Sequence, residues 1–328
     1  MAILVTGGAG YIGSHTVAEL IDSKEDVVVL DNLQKGHREA ILGGKFYNGD
    51  LRDSDFLDRV FRENSIEAVI HFAADSLVGE SVSDPLKYYN NNVASSLNLF
   101  TKMKEHGVNK IVFSSTAAVY GEPESIPILE TDRTMPTNPY GETKLTVEKA
   151  LKWVDNAYGI RYISLRYFNA AGAHTSGKIG EDHSPESHLI PIVLRTALGQ
   201  REAISIFGED YNTPDGTCIR DYIHVMDLAR AHILALNKLR SGGKSDVFNL
   251  GNGEGFSVKE VVEIAREVTG AAIKAVVSGR RPGDPAVLVA SSEKIQRELG
   301  WSPRYHELKT IIETAWNWHK NNPEGFRK

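Results

Sequence analysis

The sequence is poor in cysteine, in long apolar runs and in excess positive charge, and each shortage excludes a class of protein. Cys218 is the single cysteine among 328 residues, so the chain can form neither an intramolecular disulfide nor a thiolate metal site. No stretch approaches the roughly 20 apolar residues that span a bilayer, and no basic segment with an apolar core opens the chain. Lys and Arg number 37 against 43 Asp and Glu, which disfavours nucleic acid as the main partner. We expect a cytoplasmic protein with no membrane partner and no metal site.

Short apolar segments alternate with helix-like segments through the first half of the chain. Buried parallel strands are predicted at Ile3–Thr6, Val27–Leu30, Ala68–Phe72, Lys110–Ser114 and Tyr162–Arg166. Helices are predicted at Ile12–Asp22, Asp53–Glu63, Pro85–His106 and Tyr140–Tyr158. Because this alternation is typical of right-handed βαβ units, we predict an α/β protein with a Rossmann-type doubly wound parallel sheet.

The second half of the chain is less regular. A loop is predicted over Ala170–Glu186, strands at Ala203–Phe207 and Val247–Leu250, and helices at Ser257–Thr269 and Leu308–Asn321. We predict a smaller α+β substrate-binding lobe at the carboxyl edge of the sheet, where such sheets bind ligands. Residues 1–168 would form the Rossmann domain, and residues 169–328 mainly the second lobe, with some segments returning to the first domain.

A glycine turn follows the first predicted strand and precedes the first predicted helix. Gly7, Gly10 and Gly13 would let the backbone approach a pyrophosphate at the helix N-terminus. Asp31 ends the second strand, where an acid accepts hydrogen bonds from the adenosine ribose and repels a 2′-phosphate. NAD is therefore favoured over NADP. Asp50 follows a third candidate strand and either meets the adenine or lies in a surface turn.

Tyr140 and Lys144 lie at i, i+4 spacing at the start of a helix that Asn138 would cap. The ammonium of Lys144 would lower the pKa of Tyr140 from about 10 toward the working pH. The resulting phenolate can accept an alcohol proton while hydride leaves for nicotinamide. The same spacing recurs at Tyr305–Lys309, where it predicts only the face of a C-terminal helix. Context separates the two pairs, because only the first follows a strand that delivers hydroxyls, including that of Thr116, to the carboxyl edge.

Five further motifs carry a resemblance to a known family. The chain resembles the extended short-chain dehydrogenase/reductase family and, within it, the UDP-glucose (UDP-galactose) 4-epimerases. The motifs are Thr6–His15, Val78–Val82, Arg166–Asn169, Asp215–Val225 and Arg280–Asp284. They extend from the first residues to about residue 300, so the resemblance covers nearly the whole chain.

The resemblance implies that the enzyme retains NAD and interconverts UDP-galactose and UDP-glucose as a homodimer. Tyr140, assisted by Thr116 and Lys144, would deprotonate the sugar 4-hydroxyl as hydride leaves C4. The 4-keto sugar would then turn about its pyrophosphate link and take the hydride back on its other face.

The resemblance also implies two sets of binding residues. The cofactor would be bound by Gly7, Gly10, Tyr11, Ile12, Gly13, Asp31, Asn32, Asp50, Leu51, Phe72, Ala73, Ala74, Asn91, Ser114, Tyr140, Lys144 and Tyr167. The UDP-sugar would be bound by Thr116, Tyr140, Asn169, His188, Leu189, Ser205, Phe207, Arg220, Arg281, Asp284 and Leu288. Arginine suits the pyrophosphate because its planar fork forms paired charge-assisted bonds.

Four positions differ from the patterns of related enzymes. Thr116 stands where many epimerases have serine, and it keeps the hydroxyl. Ser76 stands where several relatives have a lysine near the nicotinamide ribose. His188 lies in a Ser-His-Leu sequence that replaces Asn-Asn-Leu, so its contact with the nucleotide is left open. Leu288 is smaller than the aromatic residue that excludes an N-acetyl group in some members, which predicts partial acceptance of UDP-N-acetylglucosamine.

Other functions compatible with the fold are less favoured. A nucleotide-sugar 4,6-dehydratase needs an acid and a base after the threonine, and Ala117 and Ala118 cannot transfer protons. A non-catalytic NAD sensor would not need Tyr140 and Lys144. A 4-epimerase of another UDP-sugar (glucuronate, a pentose or strictly N-acetylglucosamine) stays open, because the sequence does not reveal the pocket around C6.

Overall fold

A computed structural model describes residues 1–281 and 284–326. The strands are β1 (Ala2–Thr6), β2 (Val27–Asp31), β3 (Lys45–Asn48), β4 (Ile66–His71), β5 (Lys110–Ser114), β6 (Arg161–Tyr167), β7 (Asn169–Ala171), β8 (Ile204–Phe207), β9 (Ile219–Arg220), β10 (Tyr222–His224), β11 (Asp246–Leu250), β12 (Phe256–Ser257), β13 (Ala275–Ser278) and β14 (Val287–Leu288). Seven of them form one parallel sheet in the order β11-β6-β5-β4-β1-β2-β3. The predicted Rossmann-type fold is confirmed.

Helices cover both faces of this sheet. They are α1 (Tyr11–Asp22), α2 (Ser54–Glu63), α3 (Val78–Ser83), α4 (Pro85–Tyr88), α5 (Ser95–Glu105), α6 (Pro139–Tyr158), α7 (Leu189–Ala197), α8 (Val225–Arg240), α9 (Val258–Thr269), α10 (Glu293–Leu299) and α11 (Leu308–Asn321). A π-helical segment, Tyr89–Ala94, joins α4 to α5. Among the described helices, none is long and apolar enough to cross a membrane.

The sheet is buried on both faces, and its strands β1 and β2 are apolar up to their last residues. All five residues of β1 and of β2 are buried. One face packs against α1 and α8, and the other against α2, α5 and α6. Helix α8 was not predicted, because its buried residues lie on more than one side of the helix and give no simple amphipathic pattern.

The second half of the chain builds its own apolar cluster from α7, α9 and α11. The predicted capping box of α9 is present: Glu260 N donates to Ser257 Oγ over 3.0 Å, and Ser257 N donates to Glu260 Oε2 over 2.6 Å. Within the predicted loop over Ala170–Glu186, the first residues instead belong to β7, which pairs with β10. The division into two domains at residue 168 stays a prediction. Two elements from beyond that residue belong to the first layer, because β11 is a strand of the large sheet and α8 packs against it.

Candidate active site

A cavity of about 1260 Å³ lies at the carboxyl ends of the sheet strands. Its wall includes all the residues predicted to bind the cofactor, from Gly7 in the first turn to Tyr167 at the end of β6. Cavities for single small molecules measure about 300–1,000 Å³, so this one is larger than a single small ligand needs. Its position agrees with the rule that open α/β sheets bind ligands where the strand order reverses, here at β1.

The glycine turn brings backbone atoms closer together than side chains would allow. A Cβ atom at Gly7, whose φ is +71°, would lie 2.5 Å from the backbone nitrogen of Ala73, and one at Gly13 would lie 2.2 Å from the carbonyl oxygen of Gly7. Within the described residues, no side chain caps α1, and its first three residues line the cavity, so their backbone N–H groups are available to a ligand. This cradle fits the pyrophosphate of a dinucleotide.

The two acidic residues predicted near the adenosine differ in environment. Asp31 is buried and accepts from Ala9 N over 3.0 Å and from Leu33 N over 2.8 Å. Burial raises its pKa, and the two N–H bonds oppose the shift. Asp50 accepts two bonds from Arg52, which hold the pKa of Asp50 well below its usual range. Both residues line the cavity.

The local sequence at the start of α6 fixes the predicted catalytic side chains. Asn138 Oδ1 accepts from Gly141 N over 2.9 Å, and Pro139 occupies the first turn. A Cβ at Gly141 would lie 2.6 Å from Ala118 O, so the glycine lets α6 approach the end of β5. Lys144 is buried and donates from Nζ to Ser114 O over 2.8 Å.

The electrostatics at Tyr140 differ from the prediction. We predicted that Lys144 lowers the pKa of Tyr140, but in the structure burial raises this pKa, and the Thr116 hydroxyl offsets only part of the shift. Burial also lowers the pKa of Lys144 to about 7, with the negative charge of Glu148 opposing it. Desolvation by burial is therefore the main influence on the pKa values of both Tyr140 and Lys144.

A buried polar network behind Tyr140 and Lys144 was missed by the sequence analysis. Glu148 accepts from Arg166 Nε over 3.0 Å and Nη2 over 2.6 Å, and from Ser115 Oγ over 2.5 Å. Arg166 also donates to the Tyr120 hydroxyl, which donates to Asn249 Oδ1 over 2.6 Å. The network joins α6 to β5, β6 and β11. The spacing of Tyr140, Lys144 and Glu148 at i, i+4 and i+8 was the available signal for Glu148.

The residues predicted to bind the UDP-sugar are divided between the cavity wall and its surroundings. Those on the wall are Thr116, Tyr140, Asn169, His188, Arg220, Arg281, Asp284 and Leu288. Among the described residues, Leu189, Ser205 and Phe207 do not reach the wall, although Arg281 lies 3.9 Å above the Phe207 ring. Arg220 forms an ion pair with Asp284. Arg201, which the sequence analysis did not single out, also lines the cavity.

Asp221 joins the loops of the second half beside Arg220. Its side chain is fully buried and accepts backbone N–H bonds from Asn252, Gly253 and Ala290 over 2.6–3.3 Å. Burial raises the pKa of Asp221 to about 6 in spite of these bonds. The carboxyl group therefore fixes the position of the strand that carries Arg220.

The fold, the glycine turn and the Tyr-Lys pair define a Rossmann-type protein with a dinucleotide site beside an acid-base site. The chain belongs to the NAD dependent epimerase/dehydratase family, whose model matches residues 3–251. The resemblance found in the sequence motifs is confirmed, and the family's NAD dependence agrees with the predicted cofactor.

Individual relatives are similar over the full length. The UDP-glucose 4-epimerase of Halalkalibacterium halodurans is 65% identical over 326 residues, which cover 99% of this chain and 98% of the relative. A crystal structure of a UDP-glucose 4-epimerase is 61% identical, with a TM-score of 0.99 and full coverage of both chains. The enzyme of Bifidobacterium longum, solved in complex with NAD⁺ and UDP, is 42% identical, with a TM-score of 0.93 and coverage of 99% of this chain and 100% of that one.

Proposed function

We propose that the chain interconverts UDP-galactose and UDP-glucose by inverting C4 of the sugar, with NAD kept bound. This proposal rests on the observation that Tyr140, Thr116 and Lys144 line the same cavity as Arg220 and Arg281. An acid-base group and two nucleotide-binding cations are thus available to one extended ligand. The similarity to UDP-glucose 4-epimerases over the whole chain supports this assignment.

Bound NAD⁺ would supply the hydride acceptor and donor for C4. Tyr140 would take the proton of the 4-hydroxyl and return it, which is general acid-base catalysis. Thr116 would hydrogen-bond the same sugar oxygen and the Tyr140 hydroxyl. Lys144, fixed by Ser114 O, would stabilise the phenolate when it forms.

The nucleotide would be held by the two arginines. Asp284 orients the guanidinium of Arg220 through their ion pair, and the Phe207 ring supports that of Arg281. Two oriented guanidinium groups match a diphosphate, because each can donate paired hydrogen bonds. No such arrangement is needed for the hexose, which must turn between the two hydride transfers.

A first experiment incubates the purified protein with UDP-galactose without added NAD and follows the nucleotide sugars by NMR. We expect UDP-glucose to form, and the same final ratio to be reached from UDP-glucose. If neither sugar nucleotide is converted even after NAD is added, the proposed substrate is wrong.

Acceptance of UDP-N-acetylglucosamine is a second proposal, which rests on Leu288. This leucine is half-buried in the cavity wall and leaves more space than an aromatic ring. We expect measurable turnover of the N-acetyl substrate, and we expect Leu288→Tyr to reduce it while keeping turnover of UDP-galactose. An N-acetyl substrate that is not turned over by the unaltered protein would contradict this proposal.

We also propose that the protein is a homodimer that acts in the galactose metabolism of the cytoplasm. Large apolar side chains are exposed on the helices of one face, with Leu86 exposed to 79%, Leu97 to 46% and Trp153 to 71%. Exposed apolar side chains of this size on neighbouring helices support an interface there. Light scattering after size exclusion should give a dimer mass, and Leu97→Glu combined with Trp153→Glu should give a monomer. An unaltered protein that is monomeric at micromolar concentration would refute the dimer.

A further inference from the structure

Four metal-ligating side chains converge in the segment between β7 and α7. They are Glu181, His183, Glu186 and His188, here called the Glu181–His188 cluster, and one ligand atom from each lies within 4.8 Å of all the others. The two carboxylate side chains are 4% and 2% exposed. Two buried carboxylates this close repel each other unless positive charge lies between them.

The distances within the cluster match those between ligands of one small cation. His183 Nδ1 lies 3.2 Å from Glu181 Oε1 and 3.7 Å from Glu186 Oε2. His188 Nδ1 lies 2.8 Å from Glu181 Oε1 and 3.0 Å from Glu186 Oε1. Tetrahedral ligands at zinc distances of about 2.0–2.1 Å are separated by about 3.3–3.4 Å, which is within this range.

Hydrogen bonding accounts for only some of these short distances: Glu186 Oε1 is hydrogen-bonded to His188 Nδ1 over 3.0 Å and accepts from the backbone N–H groups of Ser187 and His188. Glu181 Oε1, His183 Nδ1 and Glu186 Oε2 are buried, and none has a hydrogen-bond partner among the described residues. A protonated histidine that neutralised a carboxylate would direct its N–H at an oxygen, and buried polar atoms are rarely left unpaired. The three unpaired atoms, Glu181 Oε1, His183 Nδ1 and Glu186 Oε2, therefore fit ligand atoms of one cation.

The donor atoms of the cluster favour zinc over magnesium and calcium. Two imidazoles and two carboxylates form a nitrogen and oxygen set that suits Zn²⁺, whereas Mg²⁺ and Ca²⁺ favour oxygen ligands. Four protein ligands leave no open position, which is typical of a structural site. The exposed or half-buried Glu19–Asp22–His174 group has a similar spread of ligand atoms, but its acids are accessible to water and need no cation.

We propose that the Glu181–His188 cluster binds one structural Zn²⁺ per chain. This departs from the expectation of no metal, which rested on the lack of cysteine. The site would fix the segment between β7 and α7 against the cavity, because all four residues line the cavity wall and the His183 ring packs edge-on against Tyr11, with 6.2 Å between centroids. Tyr11 in turn donates from its hydroxyl to Gly172 O over 2.6 Å.

The test uses untagged protein, because a histidine tag would itself bind zinc. The protein is dialysed against equimolar Zn²⁺, Mg²⁺ and Ca²⁺ and then against metal-free buffer, and its metal content is measured by mass spectrometry. We expect about one Zn²⁺ per chain, and intense visible absorption typical of tetrahedral Co²⁺ when cobalt replaces zinc. Retention of Mg²⁺ or Ca²⁺ in place of zinc, or of no metal, would overturn the proposal.

Two variants assign the bound metal to the cluster. Glu181→Gln and His183→Gln should each weaken zinc affinity by more than about tenfold and remove the rise in melting temperature that zinc gives the unaltered protein. Asp22→Asn, which removes a carboxylate from the exposed group, is the matched control and should retain both. Far-UV circular dichroism of the metal-free variants checks that they are folded. Unchanged zinc affinity in the folded Glu181→Gln and His183→Gln variants would place the metal elsewhere and contradict the proposal.

Discussion

The chain contains a tyrosine and a lysine four residues apart at two places, and the two pairs lie in different structural environments. Tyr140 and Lys144 lie on one helix, with Lys144 buried against Ser114 O at the cavity wall. Tyr305 precedes α11 rather than lying on it, and stacks on the His224 ring at 4.4 Å. The prediction that the second pair marks a helix face was therefore wrong for the tyrosine.

The lysines of the two pairs differ most. Lys309 is exposed and donates to Glu267 over 2.5 Å, and this bond raises its pKa. Lys144 has lost most of its water, and burial lowers its pKa. The spacing of tyrosine and lysine alone therefore does not make a catalytic pair. The strand end and the cavity around Tyr140 and Lys144 determine the solvation and the pKa values of their side chains.

The largest difference should appear when each tyrosine loses its hydroxyl. Tyr140→Phe should reduce turnover of UDP-galactose by about 10²–10⁴-fold, which is the usual contribution of general acid-base catalysis. Tyr305→Phe should leave turnover within about twofold, since its hydroxyl lies away from the proton transfer. Initial rates measure both, and NAD content confirms that each variant binds cofactor. Equal rates for the two variants would remove Tyr140 from the mechanism.

A smaller difference is expected when the buried and the exposed acid are neutralised. Glu148→Gln leaves the buried Arg166 without its charged partner, and breaking a buried pair costs about 3–5 kcal/mol of unfolding free energy. Glu267→Gln removes the exposed partner of Lys309 and should leave the unfolding transition unchanged. Urea denaturation followed by circular dichroism compares them. Similar midpoints for the two variants would show that the buried network does not hold the site together.

A third difference concerns the pH dependence of stability. Lys144 has a pKa of about 7 in the folded protein against its usual 10.5, so between these values the unfolded chain binds a proton that the folded chain does not. This lysine therefore makes stability rise with pH over that window. Lys144→Met should be most stabilising relative to the unaltered protein at pH 7 or below, and its advantage should shrink as the pH rises.

Thermal unfolding of nucleotide-free protein across this pH window measures the effect. Lys309→Met is the matched control and should show the same pH slope as the unaltered protein over pH 7–10. A Lys144→Met variant whose melting temperature follows the unaltered protein in parallel at every pH would show that Lys144 keeps its usual pKa.

Features fixed by neighbouring residues were predictable from the sequence. The apolar strands β1 and β2, the glycine turn and the capped start of α6 each carry their signal within a few residues, and the structure has all of them. Features fixed by distant residues were not. Tyr120 and Asn249 are 129 positions apart, and nothing local shows that they meet.

The pKa of Tyr140 shows the same limit for electrostatics. The i, i+4 spacing places Lys144 near it, but the sign of the net shift depends on how much water the whole fold removes from both groups. The placement of Leu189, Ser205 and Phe207 behind the cavity wall depends likewise on the packing of the second half. A single sequence gives the order of residues along a strand, but not how deeply each side chain is buried or whether it reaches the cavity.

The return of β11 and α8 to the sheet has a mechanical consequence for how ligands enter and leave. Because the backbone crosses several times between the sheet layer and the apolar cluster of α7, α9 and α11, these two parts are joined by several chain segments rather than by one linker. A clamshell rotation would have to bend all of these segments together. Exchange of a nucleotide sugar is therefore a matter of moving short segments at the rim, and a chain cut after β6 would lose both an edge strand and the cover of one face.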